Sequence, residues 1–160
     1  MLAVELWEEF LGEHPECQSA QYDVWAFGAS ADELADLTLQ GVKTATSSAY
    51  DLYVEDNEPL PKAYDYNVIL NGAGEPVCVT KTTKVYLMPF NQISERHAYR
   101  EGEGDRTIEY WRKVHLDFFN QAFVESEIEF NKDSLIVCEE FEVVHKNTSL
   151  FQGDDILERS

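Results

Sequence analysis

Positively charged residues are scarce in this sequence. Its 160 residues include 12 Lys and Arg against 31 Asp and Glu, which gives a formal net charge of −19 at pH 7. Affinity for nucleic acid comes chiefly from basic side chains that neutralise phosphates and release counterions. The charge balance therefore argues against duplex DNA as a partner.

Long apolar runs and paired cysteines are missing as well. No segment approaches the roughly 18 consecutive apolar residues of a membrane span, and the N-terminal MLAVELWEEFLGEH has Glu where a secretory signal has Lys or Arg. We therefore expect a cytoplasmic protein without a membrane partner. The three cysteines, Cys17, Cys78 and Cys138, have no CxxC spacing, so neither a disulfide framework nor a thiolate zinc site is indicated.

Common catalytic signatures are absent too. The sequence contains no GxxxxGK[ST] phosphate loop and no HExxH, and GASAD differs from the GxSxG elbow in its last residue. This excludes P-loop and serine-hydrolase interpretations. The histidines show no metal-ligand spacing, and His115, on an aromatic helix face, is interpreted as a structural residue.

What the sequence does contain is enough apolar material for one core. Hydrophobic residues make up 44% and aromatic residues 12% of the chain, which predicts a single domain over residues 1–160. The order of the predicted elements, helices, hairpin, helices and strand, indicates an α+β fold. The elements are an N-terminal helix within 1–14, a helix after Ser30, a hairpin of YNVIL and PVCVTKTTKVYLM, a short helix over Phe90–Tyr99, a helix capped by Asp105, a strand over Leu135–Val144 and a loosely held tail over 146–160.

Two segments carry chemistry. In GVKTATSS, Lys43 is followed by the hydroxyl side chains of Thr44, Thr46 and Ser47. Lys43 would be an activated base if burial lowered its pKa from about 10.4 towards 7 to 8; the alternative is a solvated lysine in a hydroxyl-rich turn.

The second segment is EGEGD, with carboxylates at Glu101, Glu103 and Asp105. Its glycines allow a tight loop in which the acids converge on a base, a substrate amine or a divalent ion. The alternative is that Asp105 caps the next helix while Glu101 and Glu103 belong to the solvated acidic surface.

Together these segments resemble the ASCH domain family, whose members share a PUA-like β-barrel and a G-x-K-x-x-T signature. Here the signature runs from Gly41 to Thr46. GVKTATSSAY, PLP, YNVIL and HAYREGEGDRTIEYWRKVHLDFF are similar to the longer bacterial branch of the family, which carries the EGEGD and YWR motifs, over residues 22–145. The resemblance implies a mixed β-barrel surrounded by α-helices.

One bacterial member of the family is an amidohydrolase that deacetylates acetylcytidine with a Lys, a Thr and a Glu. The resemblance implies the same catalytic roles for Lys43, Thr46 and Glu101, and an acylated nucleoside or nucleobase as substrate. Either neutral Lys43 deprotonates Thr46, which attacks the acyl carbon, or Lys43 and Glu101 activate water while Thr46 binds the substrate. An ionised Glu101 near Lys43 would raise the lysine pKa and oppose its use as a base.

Two other functions remain open under the same resemblance. One is a metal-assisted ribonuclease for single-stranded RNA, with a divalent ion held by Glu101, Glu103 and Asp105. The other is a noncatalytic module that binds RNA or a nucleoside. The leading hypothesis needs no cofactor, and a homodimer is compatible with the sequence. Expected substrate-binding residues are Trp25, Phe27, Thr44, Ser47, Tyr50, Glu103 and Trp111.

Overall fold

The computed structural model describes residues 1–151 and is organised around one curled five-stranded sheet. The strands are β1 (Tyr22–Ala26), β2 (Ala45–Ala49), β3 (Tyr66–Leu70), β4 (Pro76–Pro89) and β5 (Leu135–Lys146). Their spatial order is β1-β3-β4-β5-β2, with β1 and β3 parallel and the other pairs antiparallel. Bulges between β4 and β5 bend the sheet into a half-barrel.

Within residues 1–151, five α-helices surround this sheet, and the expected α+β class is confirmed. In α1, Leu6, Trp7 and Phe10 are buried and pack against Val68 and Val79 of the sheet. The acidic residues between them remain outside, as the amphipathic pattern predicts. Among the described residues, no helix combines the length and apolar content needed to cross a membrane. The helices are α1 (Ala3–Glu13), α2 (Ala31–Leu39), α3 (Tyr50–Glu55), α4 (Glu95–Glu101) and α5 (Ile108–Ala122).

The two sides of the sheet are covered by different helices. On the side we call the α2 face, Ala35 and Leu39 of α2 pack with Phe141 of β5. On the side we call the α5 face, Trp111 of α5 packs with Cys138 of β5. Successive side chains of a strand point to opposite faces, so neighbouring residues of β2 or β5 contribute to different environments.

Several expected elements differ from the structure. The strands β1 and β2 and the helix α3 were not predicted, because each is short and takes its stability from neighbours rather than from its own pattern. The Phe90–Tyr99 segment forms a 3₁₀ turn, Phe90–Gln92, before α4 begins. The last strand extends to Lys146, inside the predicted tail, and a 3₁₀ turn follows at Thr148–Phe151; the rest of the tail, 152–160, lies outside the described residues.

Candidate functional site

Lys43 lies two residues before the edge strand β2. Gly41, with φ +78°, ends α2, and the backbone N–H groups of residues 42 and 43 both donate to the carbonyl of Leu37. A positive φ at this position favours glycine. The resulting turn directs the Lys43 side chain inward, where only 1% of the residue is exposed.

The Lys43 ammonium is held by two carboxylates. Nζ donates to Glu101 Oε1 and to Glu103 Oε2, each at 3.0 Å, and to the Glu101 carbonyl oxygen at 3.4 Å. It also lies 5.2 Å from the centre of the Phe27 ring. An ammonium has three N–H donors, so these three acceptors satisfy it fully.

Glu101, the last residue of α4, is also 1% exposed. Its second oxygen, Oε2, accepts hydrogen bonds from Ser47 Oγ at 2.5 Å, Trp111 Nε1 at 2.5 Å and His97 Nε2 at 3.1 Å. A buried carboxylate is stable only when it is paired and hydrogen-bonded, and Glu101 meets both conditions.

Two histidines that the sequence interpretation left out of the site complete it. His115 donates from Nδ1 to the Trp111 carbonyl oxygen at 2.9 Å, which leaves Nε2 3.4 Å from Glu101 Oε2. His97 Nε2 is 2.7 Å from Ser47 Oγ. Both could have been found from spacing, because residues i and i+4 share a helix face: His97 precedes Glu101 by four positions, and Trp111 precedes His115 by four.

The charges at this site stabilise one another. Burial opposes the positive charge of Lys43, but Glu101 and Glu103 outweigh it and raise the pKa of the ammonium above 10.5. Burial opposes the charge of Glu101, but Lys43 and His115 hold its pKa well below 4.5. Desolvation also acts against the charge of His115, and Glu101 overcomes it and raises the pKa of the imidazole. These directions favour an ammonium paired with a carboxylate at neutral pH, and they oppose a neutral Lys43 as the base of the first mechanism.

Thr46 does not join this pair. Ser47 points to the α5 face, where it contacts Glu101. Side chains alternate along β2, so Thr46 points to the α2 face, opposite Glu139 in the register of β2 and β5. Of the three expected catalytic residues, the structure brings Lys43 and Glu101 together and places the sheet between Thr46 and Glu101.

The expected substrate-binding residues have varied positions. Phe27, Glu103 and Ser47 surround the Lys43–Glu101 pair, as described above. Trp25 donates from its indole to Asn67 Oδ1 at 2.8 Å. Thr44 donates from its hydroxyl to the Arg100 carbonyl at 3.3 Å, and Tyr50 begins α3 half-buried.

Trp111 is a correction to the expected set. It is 2% exposed and packs in the core with Phe90 and His115. A ring enclosed in this way offers no surface on which a substrate could stack. Its role is to donate a hydrogen bond to Glu101.

The expected metal ligands are not brought together either. Asp105 is on an exposed loop, where Oδ1 accepts from the backbone N–H and the hydroxyl of Thr107. It does not cap α5, because Thr107 does so through the N–H of Tyr110. His115 instead has a nitrogen within 4.8 Å of oxygens of Glu101 and Glu103.

The Lys43 ammonium already contacts both of those carboxylates. An internal cation thus occupies the position between Glu101 and Glu103 that a divalent ion would take. The donor set fits a metal poorly while Lys43 is protonated, because the two cations would repel each other at this distance.

Together, the curled sheet and the acid-paired lysine at its edge define an α+β half-barrel domain with a buried polar site. The family model of the ASCH domain matches residues 23–145. The chain belongs to the ASCH domain family, a PUA-like, RNA-binding fold.

Solved structures agree with this assignment. A protein from Enterococcus faecalis V583 is 38% identical, with a TM-score of 0.85 over 95% of this chain and 93% of that one. An ASCH domain from Lactobacillus crispatus JV V101 is 32% identical, with a TM-score of 0.85 over 89% and 94%. A hypothetical protein at 18% identity and TM-score 0.54, over 77% and 99%, shares the fold alone. No curated protein matches the chain.

Proposed function

We propose that this protein is an amide hydrolase that removes the acyl group from an N-acylated nucleoside or nucleobase, such as acetylcytidine. The observation that carries the proposal is the 3.0 Å contact between Lys43 Nζ and Glu101 Oε1, two buried groups 58 positions apart in the chain. Such an arrangement of perturbed titratable groups is typical of functional sites.

The charge state of the pair supports a role for Lys43 as a proton relay. When water adds to the acyl carbon, the Lys43 ammonium protonates the nitrogen as the amide C–N bond breaks, and the neutral amine of Lys43 then takes the proton that the added water releases. The products are a carboxylic acid and the free amine, and Lys43 returns to its ammonium form. Glu101 and Glu103 hold Lys43 in position through both transfers.

The part played by Thr46 has two versions. Thr46 lies three residues after Lys43 and faces the α2 side of the sheet, so the substrate would lie on that face with its acyl group next to Lys43. In the first version the Thr46 hydroxyl attacks the acyl carbon, the C–N bond breaks as the Lys43 ammonium protonates the leaving amine, and the Thr46 proton restores that ammonium. Water then hydrolyses the acyl-threonine ester and regenerates the hydroxyl. In the second version Thr46 hydrogen-bonds the substrate while water attacks. Glu101, behind the sheet, acts through Lys43 and is a positioning residue.

The experiment is incubation of the full chain with acetylcytidine and a panel of N-acylated nucleobases, with mass detection of the deacylated product. Lys43→Met and Thr46→Val are expected to reduce kcat by at least about a hundredfold. The matched control is Lys84→Met, a lysine on β4 that contacts none of these residues. Chelation with EDTA is expected to have no effect, whereas a metal-assisted ribonuclease would lose activity.

Wild-type rates in both Lys43→Met and Thr46→Val would refute the mechanism. If the wild-type protein deacylates no member of the panel, the amidohydrolase proposal fails. Cleavage of single-stranded RNA that stops with EDTA would support the ribonuclease alternative instead.

A second function, binding without turnover, is favoured by one observation. Every N–H of the Lys43 ammonium and both oxygens of Glu101 already have partners inside the protein. A pair satisfied in this way can serve to hold α4 against β2. Under this alternative the ligand binds, no product forms, and Lys43→Met leaves the affinity unchanged.

A further inference from the structure

The α2 face carries a buried acid that the proposed reaction does not use. Glu139 lies on β5 and is 8% exposed. Its Oε2 accepts a 2.6 Å hydrogen bond from the Thr82 hydroxyl. Within residues 1–151, Oε1 accepts no hydrogen bond and no basic side chain pairs with Glu139.

The next residue, Glu140, differs from Glu139 because it is paired with basic side chains. Glu140 points to the α5 face, where Arg96 binds it through two nitrogens at 2.6 and 3.2 Å and Arg100 lies at 3.6 Å. Glu101 is likewise paired with the Lys43 ammonium. Burial raises the pKa of Glu139, and Asp65 adds to that rise. A buried carboxyl group without a cation costs stability, and such a cost is typical of groups kept for function.

The surroundings of Glu139 combine hydroxyl groups with aromatic rings. Thr46 is opposite Glu139 in the strand register, and Ser48, two residues further on, is 3.0 Å from the Tyr53 hydroxyl. The charge of Glu139 adds to the rise that burial causes in the pKa of Tyr53. Phe141 is on the same face of β5. Phe141 is enclosed beneath α2, whereas Thr46, Ser48 and Tyr53 are half-buried, so the face offers polar groups next to apolar packing, as in sites for small ligands.

The same face reaches the Lys43 end of the sheet. Phe141 packs in one cluster with Phe27, and the Phe27 ring contacts the Lys43 ammonium. The backbone N–H of Phe141 also donates to the carbonyl of Thr44, next to Lys43 in the chain. A ligand on Glu139 would therefore extend towards the proposed catalytic lysine.

We infer that the α2 face binds the ring of a neutral planar heterocycle, with Glu139 Oε1 accepting a hydrogen bond from a ring or exocyclic N–H. The hydrogen bond from the Thr82 hydroxyl to Oε2 holds the carboxyl group of Glu139 in place and so fixes the direction in which Oε1 points. The ligand class is a nucleobase with at least one N–H donor. Only the choice of a nucleobase rests on the proposed function, since the binding itself requires no turnover.

Calorimetric titration with cytidine tests this inference, because cytidine has an exocyclic amino group and no acyl group to lose. Glu139→Leu is expected to weaken cytidine binding by about tenfold to a hundredfold, as expected when a hydrogen bond to a charged group is lost. Glu139→Gln keeps one acceptor oxygen, so its affinity for cytidine is expected to lie between those of the wild type and Glu139→Leu. The matched control, Glu142→Gln, changes an exposed acid on the same strand and is expected to bind as the wild type does.

Two further readouts separate a binding role from a structural one. N4,N4-dimethylcytidine lacks the exocyclic N–H that Glu139 would accept. We expect it to bind the wild type more weakly than cytidine does, and to bind Glu139→Leu with the same Kd as the wild type. Glu139→Gln is expected to raise the melting temperature while it weakens cytidine binding, because it removes an unpaired buried charge. A purely structural Glu139 would lower the melting temperature and leave the affinity of the folded fraction unchanged.

The inference is overturned if wild-type protein binds no cytidine, or if Glu139→Leu and Glu139→Gln bind it as the wild type does. If Glu139→Leu does not fold, the cytidine affinity of Glu139→Gln alone tests the inference. A failure of the proposed hydrolysis looks different: cytidine binding still depends on Glu139, but no acylated nucleobase is turned over.

Discussion

At the scale of single residues, the site is governed by how Lys43 is neutralised. Burial alone would lower its pKa and make it a base, but the two carboxylates at 3.0 Å reverse the direction. The same residue type at the same signature position can thus act as a base or as a proton donor, and its neighbours decide which.

This assignment predicts the pH dependence of turnover. A lysine whose pKa is raised above 10.5 stays protonated throughout the range from pH 7 to 9. If the ammonium is the reactive form, kcat for acetylcytidine is expected to change by less than about twofold over this range. If a resting neutral amine were the base, kcat would rise about tenfold per pH unit. A measured slope near one would contradict the assignment.

Sequence reasoning placed Lys43 next to Glu101, but it did not separate Thr46 from this pair. Lys43 and Glu101 were identified through the family signature and the EGEGD segment. The separation of Thr46 from Glu101 follows from the alternation of β2, and ATSSA was not recognised as a strand because it contains no apolar alternation. Glu139 had no local signal, since its lack of a cation depends on which residues the fold brings to the α2 face.

At the scale of secondary-structure elements, the loop after α4 holds the second acid against Lys43. Gly102 ends α4 with φ +74°, and a Cβ there would lie 2.6 Å from the carbonyl oxygen of Val42. Glycine is therefore required both by the backbone angle and by the close approach of the Lys43 segment.

Gly102→Ala is expected to lower the free energy of unfolding by at least about 1 to 2 kcal/mol, through the left-handed backbone alone. The clash with Val42 would also move Glu101 and Glu103 away from Lys43. Urea denaturation measures the effect. The control is Gly12→Ala in α1, where no atom would lie within 4 Å of the new Cβ and a gain of about 0.5 to 1 kcal/mol is expected. Equal stability of the two variants would contradict this account of the loop.

The fold was predictable where an element carries its own pattern. The amphipathic α1, the aromatic stripe of α5 and the β3–β4 hairpin were all expected from sequence. The edge strands β1 and β2 were not, because a five-residue strand is stabilised by its partners. β2, for instance, pairs along its whole length with β5, from Ala45 with Glu140 to Ala49 with Ile136, and no local window of sequence contains that information.

At the scale of the whole molecule, a net charge of −19 opposes any ligand rich in phosphate. Several basic residues near the site are already engaged: Lys43 with Glu101, Arg96 with Glu140, and Arg106 against the ring of Tyr99 at 3.6 Å. A neutral nucleoside avoids the repulsion that an RNA strand would meet.

The salt dependence of binding is therefore expected to be small. Between 50 and 200 mM NaCl, the Kd for cytidine should change by less than about twofold. A single strand held by about six phosphate contacts would lose roughly 300-fold in affinity over the same range. Calorimetric titration at the two salt concentrations measures the difference, and a steep loss of affinity would contradict the neutral-ligand account.

The buried pair itself allows the most direct test of the central claim, that Lys43 and Glu101 serve chemistry rather than stability. Removing Glu101 alone leaves an unpaired buried ammonium and should cost about 3 to 5 kcal/mol, whereas replacing both partners with apolar residues is often neutral. The measurement is acetylcytidine hydrolysis by the wild type and by the double variant Lys43→Met, Glu101→Leu, at matched folded concentration. Because the double variant also removes hydrogen-bond partners of Ser47, Trp111 and Glu103, the comparison is made between folded proteins only. We predict that the folded double variant forms no product; product at the wild-type rate from the double variant, or none from the wild type, would contradict the claim.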